Sequence, residues 1–473
     1  VDTKPREVDI LIKNGFIVTM DPERRILDNG GIAIQDGKIL CIADSVLVES
    51  SYHAKKVIDA RDRVIFPGMI NTHNHLFQVL LKDLGKDRGI FDWLNSSIRR
   101  AYRHITEDDI YLAAVMGCVE QLKSGVTTVL DFQYAHGQPN LSDKVVDAFL
   151  TTGIRGILGR GHANTARYPA DLRCAHDESE EEFFDDFVRL SRKYARYPTI
   201  GFALAPGNVW CLSRKGFITC AELAKSMDSF ITMHSIETAE DGKYALAEHG
   251  MAFFDFLRET GVLSSRFLAV HCAEITQAEI AVLARHDVKV SYNAISNMMM
   301  GYRTLPVSDL LDAGITVSVA TDGAASNDNQ DMLQVLKFSA LYQKSSFKDP
   351  TVMPAAKILE MATIDGAEAI FKGREIGSLE AGKQADLFIF NPVQCNTTPM
   401  TDPVVSLVYS AGKNNIETTI VNGKIVMEEG RMVTIDEHEI IMRLQAAASK
   451  LRNLSVLGSH QWNQPVDFGS FRN

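Results

Sequence analysis

The sequence predicts an α/β protein: a (β/α)8 TIM barrel with a small β-sandwich domain formed by both chain termini. Three observations carry this reading. Apolar β-like runs alternate with helix-period stretches from about residue 67 to 372, the pattern of parallel strands with crossover helices. The two ends of the chain hold short β segments and share a style that the middle lacks. At about 150 residues per domain, 473 residues leave room for one large barrel and one smaller companion.

Each element follows from its local pattern. Residues 8–12 are apolar and lead into Asn14-Gly15, a hairpin signal, then into Phe16-Ile17-Val18. Residues 31–35 meet Asp36-Gly37, a tight-turn pair, before Lys38-Ile39-Leu40. Short strands at 57–59 and 64–66 complete this part. After Pro67-Gly68 come eight candidate barrel strands: 69–71, 126–130, 153–158, 199–204, 230–233, 267–270, 288–292 and 315–320. Amphipathic stretches lie between them, including 107–122, 180–194, 221–227 and 276–284. An open doubly wound sheet is the rival, but no G-x-G-x-x-G follows an early strand. Short β segments return at 386–390, 416–421 and 424–426, around Asn422-Gly423. The division read from this is a composite β-sandwich of 1–66 and 376–435, a barrel of 67–375, and a C-terminal helix and tail of 436–473.

Composition excludes several classes. Hydrophobic residues are 45% and charged residues 23%, near the globular average, so the chain is not disordered. No run of about 18 apolar residues spans a membrane. Charges come at once in the opening residues, so no secretory signal is expected. The net charge of −11 argues against generic binding to nucleic acid, which rests on a positive field. The seven cysteines are scattered and form no C-x-x-C pair, which reads as reduced thiols of a cytoplasmic protein.

The sharpest motif is Asn71-Thr72-His73-Asn74-His75, directly after an apolar strand. Two histidines at i and i+2 on a strand project to one face, so both imidazoles reach one metal. Residues 230–233 run into His234, with Glu237 three residues on. Residues 267–270 run into His271, and residues 315–321 end in Asp322. A polar residue closing one strand is usually a cap. Here His, His, His, His and Asp close successive barrel strands on the face where barrel active sites sit.

This ordered set resembles the amidohydrolase superfamily. The likeness includes the run Val-Ile-Phe-Pro-Gly-Met-Ile-Asn at 64–71 and Gly-Ser-Leu-Glu-Ala-Gly-Lys-Gln-Ala-Asp-Leu at 377–387. The run Thr-Asp-Gly-Ala-Ala-Ser-Asn-Asp at 321–328 narrows it to one branch. That branch holds the S-adenosylhomocysteine/methylthioadenosine deaminases, 8-oxoguanine deaminase and the triazine hydrolases. The resemblance implies one divalent metal ion held by His73, His75, His234 and Asp322. It implies Glu237 as proton shuttle, His271 beside the metal-bound water, and Asp322 assisting the transfer to the leaving group. Three imidazoles and a carboxylate suit zinc, with iron as the alternative. Residues 199–206 offer no lysine of the kind that bridges two metals in binuclear relatives. The implied reaction is hydrolysis of an exocyclic C–N bond on an amino-substituted purine, pterin or s-triazine ring. The alternatives are a triazine-type chlorohydrolase or alkylamine-releasing hydrolase, and a non-catalytic scaffold. Homo-oligomerisation is also implied.

Substrate contacts implied by the same resemblance are Gln78, Trp93, Tyr134 and Arg160, with His162 and Arg303 as weaker candidates. Two departures stand out. Adenosine-type deaminases of the branch carry a base-contacting His where this chain has Gly207, and a second His where it has Glu274. Both weigh against adenosine substrates, and Asp131-Phe132-Gln133-Tyr134 resembles the 8-oxoguanine and triazine hydrolases instead.

Overall fold

The computed structural model describes residues 5–162 and 164–455. The expected tail beyond the C-terminal helix, from 456 on, and residues 1–4 lie outside the described residues.

The terminal strands form one connected nine-stranded sheet. Its path runs from Arg431–Met432 through Lys424–Glu428, Ile416–Val421, Leu387–Phe390 and Val64–Pro67 to Arg6–Val18, Ile26–Gln35 and Lys38–Asp44. Tyr52–Asp59 pairs with Arg6–Val18 as a branch. Asn14-Gly15 is not a hairpin. It bends one continuous strand, with Asn14 at φ 59° and the register shifting between Ile12 and Gly15. The first half of that strand pairs with Tyr52–Asp59 and the second with Val64–Pro67. Thus one strand serves both halves of the sheet, which enclose Ile10, Ile12, Ile34, Ile65, Leu387 and Ile420.

The two ends are joined at their turns. Asp36-Gly37 and Asn422-Gly423 both take positive φ at both residues, the geometry of the tightest hairpin turns. A Cβ on Gly423 would stand 2.7 Å from Gly37 Cα. Gly37 carbonyl accepts from Ala385 N–H, and Ala385 carbonyl accepts from Gly423 N–H, at 2.8 and 3.0 Å. Only glycine permits that approach.

The barrel strands are Met69–Asn74, Val126–Gln133, Arg155–His162, Ile200–Pro206, Ile231–Ser235, Phe267–His271, Lys289–Tyr292 and Val317–Val319. They pair in sequence order, all parallel. The expected strands all form, displaced by a few residues at their ends. Intervening helices start where the residues cap them. Thr106 and Asp109 make a reciprocal capping box ahead of Glu107–Leu122, and Ser179 and Glu182 make one ahead of Glu180–Lys193.

The barrel interior is graded. Its lower end is apolar: Ile70, Leu130, Ile157, Ala203, Phe230 and Leu268 pack on Ala367, Ile370 and Ile376. A hydroxyl set spans the first, seventh and eighth strands, with Thr72 Oγ1 2.9 Å from Ser291 Oγ and 2.8 Å from Ser318 Oγ. The sheet path breaks between the eighth and first strands. That seam closes through side chains: Asn71 Nδ2 donates to Thr321 Oγ1 at 2.7 Å, and Thr321 N–H donates back to Asn71 Oδ1 at 3.1 Å. One backbone bond follows, from Asp322 N–H to His73 carbonyl at 3.2 Å.

Candidate metal centre and substrate cavity

His73, His75, His234, His271 and Asp322 meet at the C-terminal mouth of the barrel. Asp322 Oδ1 lies 3.5 Å from both His73 Nε2 and His75 Nε2. His234 Nε2 lies 3.3 Å from His75 Nε2. The donor atoms of His73, His75 and Asp322 lie within 4.8 Å of one another, as do those of His73, His234 and His271.

The backbone sets these directions. His75 Nδ1 is 2.8 Å from Phe132 carbonyl, and His234 Nδ1 is 2.9 Å from Gly207 carbonyl. A carbonyl only accepts, so each Nδ1 carries the proton and each Nε2 lone pair points inward. Both ring nitrogens of His73 are buried without a hydrogen-bond partner. Such an orphaned imidazole costs free energy unless something else engages it. Burial lowers the pKa of His73 to about 4 and lowers those of His75 and His234 as well, so all three rings are neutral ligands at neutral pH. Burial raises the Asp322 carboxyl, but His73, His271 and His75 outweigh it and hold the group ionised. Three neutral imidazoles and a carboxylate around an orphaned ring fit a divalent ion of the zinc type.

The chain is strained here. Ile236, His271, Cys272 and Asp322 have φ of 44°, 70°, 50° and 59°, in the region L-residues avoid. Strain of this kind persists where the fold over-determines a functional geometry. Glu237 follows directly. Its backbone N–H donates to Asp241 Oδ2 at 2.7 Å, and its Oε1 lies 3.8 Å from His271 Nε2. Burial raises its carboxyl to about 7 against the pull of His234. His271 Nδ1 has Asn297 Oδ1 at 3.0 Å and Asn293 Nδ2 at 3.3 Å, so either tautomer finds a partner.

A cavity opens on this cluster, with His75, His234, Glu237, His271 and Asp322 on its wall. Gln78, Trp93, Tyr134 and His162 line it, in keeping with their expected place. Gln78 Nε2 donates to the Tyr134 hydroxyl at 3.1 Å. Arg160 does not line it. Its guanidinium is buried against Glu178 and Asp186, with Asp186 Oδ2 2.7 Å from its Nε, so its charge is spent inside the fold. Arg303 does not line it either: its side chain is 80% exposed and 3.8 Å from Glu274. The missed residues are Asp241, Asn293, Asn297, Asn208 and Arg99. Asp241 left one trace, the Thr238-x-x-Asp241 spacing of a capping box. The asparagines carry no local signal.

The barrel with this donor set defines a metal-dependent hydrolase. The model of the amidohydrolase family matches residues 64–426, and the chain belongs to that family. It is a hydrolase acting on carbon–nitrogen bonds. A 5'-deoxyadenosine deaminase of Methanosarcina mazei is 33% identical over 448 residues, covering 94% of this chain and 98% of that protein. An adenosine deaminase from Xanthomonas campestris with bound zinc superposes with a TM-score of 0.89 at 25% identity, covering 95% and 100% of the two chains. The atrazine chlorohydrolase of Arthrobacter aurescens TC1, complexed with zinc, gives 0.85 at 25% identity, covering 93% and 100%.

Proposed function

We propose that this protein hydrolytically deaminates an amino-substituted purine of nucleoside type, holding one zinc ion at His73, His75, His234 and Asp322. The observation that carries the reading is the convergence of those four groups beside a protonatable Glu237 on one cavity wall. Bound there, the ion supplies Lewis acidity, which lowers the pKa of water from ~15.7 towards ~7. Glu237 takes the proton of the attacking water and delivers it to a ring nitrogen; a group poised near 7 does both. His271 donates from Nε2 to the oxygen that develops charge, while Asn293 satisfies its Nδ1. Asp322 assists the second proton transfer, to the departing amine. Gln78 and Tyr134 orient the ring through their shared hydrogen bond.

Gly207 and Glu274 weigh against adenosine-type substrates by pattern, whereas the named relatives favour a purine nucleoside. The local geometry supports the latter. A Cβ on Gly207 would stand 2.7 Å from Cys211 Sγ and 3.1 Å from His162 carbonyl, so no side chain fits. His162 itself faces the cavity beside that point and offers an imidazole from the adjoining strand. No helix among the described residues is long and apolar enough to cross a membrane. The reading includes a cytoplasmic setting, supported by the free cysteines, and self-association, supported by exposed Phe338 and Leu341 on one helix.

The test is ammonia release by the zinc-loaded protein over aminopurine nucleosides, pterins and s-triazines, with Glu237→Gln beside it. Purine nucleosides should turn over. The variant should lose about 100- to 10,000-fold in kcat while keeping its zinc. Release of chloride or alkylamine from triazines without purine turnover would replace this reading with the triazine one.

A further inference from the structure

Two arginines lie near the cavity, and they are electrostatic opposites. Arg160 is neutralised by Glu178 and Asp186. Arg99 lines the cavity wall and has no acidic partner within ion-pair distance among the described residues. Its Nη1 donates to Asn95 Oδ1 at 2.7 Å, and its guanidinium lies over the Tyr168 ring, 4.2 Å from the centroid. These contacts fix the plane of the group. They leave the Nε edge free, and Nε is buried without an acceptor. Trp93, six residues earlier on the same cavity wall, has its Nε1 buried without an acceptor too.

A held guanidinium with an open edge, next to a second orphaned donor, is a half-made site. What completes it must bring acceptor oxygens and negative charge. We propose that the substrate carries a carboxylate remote from the ring that is deaminated, and that Arg99 binds it, with Trp93 Nε1 as a further donor. This rests on the nucleoside reading above. A carboxylate matches one guanidinium edge through two parallel hydrogen bonds. A doubly charged phosphate fits less well. The cavity offers it one arginine, while Glu237, Asp241 and Asp322 on the same wall repel it.

The test uses two adenine nucleosides that differ in charge alone: adenosine 5′-carboxylate and its neutral 5′-carboxamide. Ammonia release by the zinc-loaded enzyme should give a kcat/KM ratio of about 10- to 100-fold in favour of the carboxylate, the scale of a hydrogen bond to a charged group. In Arg99→Met that ratio should fall to about 1, and in Arg99→Lys it should lie between. A wild-type ratio near 1 overturns the proposal without any variant, and so does an unchanged ratio in Arg99→Met. Preference for adenosine 5′-monophosphate over the carboxylate overturns the choice of anion. Absence of ammonia from every nucleoside sinks the deaminase reading instead. Calorimetric binding of the same pair then reads the charge preference by itself: carboxylate selectivity that depends on Arg99 supports the anion site, and equal affinities sink it.

Discussion

The Asp241 carboxylate clamps the backbone of Glu237, the residue assigned the proton transfers. It accepts from Glu237 N–H at 2.7 Å and from Thr238 N–H at 3.2 Å, and Asn208 Nδ2 lies 3.3 Å from its other oxygen. It acts through Glu237 and so is a positioning residue. Asp241→Ala should lower kcat by about 10-fold, since misplacing a reacting group by an ångström costs up to ~100-fold. Asp241→Asn keeps an acceptor and should restore most of the rate. Steady-state kinetics with zinc content measured alongside would check both.

The orphaned nitrogens of His73 tie metal to stability. His73→Ala should lower zinc per chain well below that of the wild type. Chelation of the wild type should lower its thermal midpoint, and added zinc should restore it. Ligand at a hundred times its Kd contributes ~2.7 kcal/mol to the folded state. A midpoint indifferent to chelator would remove the metal from the folding balance.

Asp131 gives a pH signature away from the donor cluster. Burial pushes its carboxyl up to about 7, against the hydrogen bond it accepts from Leu76 N–H at 2.7 Å. The folded chain therefore keeps a proton that the unfolded chain releases near ~3.9. That contribution is complete below the unfolded value and is lost as pH rises through about 7. Asp131→Asn removes the titration. Its thermal midpoint should fall less than that of the wild type between pH 5 and 8.

Arg160 belongs to the scaffold. Replacing it with Met leaves Glu178 and Asp186 as buried, uncompensated charges, and His162 beside Glu178 at 3.2 Å loses its fixed neighbour. A loss of about 3–5 kcal/mol is expected by urea unfolding. Glu178→Gln in the Arg160→Met background should recover part of it.

What the sequence disclosed followed from periodicity. Strand–helix alternation gave the barrel, because buried parallel strands must be apolar throughout. His73, His75, His234, His271 and Asp322 were visible because each closes such a run. Asn14-Gly15 misled because its dihedrals serve a bend within a strand as readily as a turn between two. Arg160 misled because a strand-end arginine faces either the cavity or the neighbouring helix, and Glu178 and Asp186 decide this from 18 and 26 residues away. Asn293 and Asn297 were invisible, since their role exists only once His271 is folded against them.

The seam between the last and first barrel strands has a consequence for synthesis. His73 and His75 leave the ribosome early, whereas Asp322 and Thr321, which face them across the seam, arrive some 250 residues later. A nascent or truncated chain that stops before the eighth strand holds every histidine of the cluster yet lacks the carboxylate that completes it. Tight metal uptake is thereby postponed until the barrel is whole, and a zinc-loaded chain is one that has been translated past its last barrel strand.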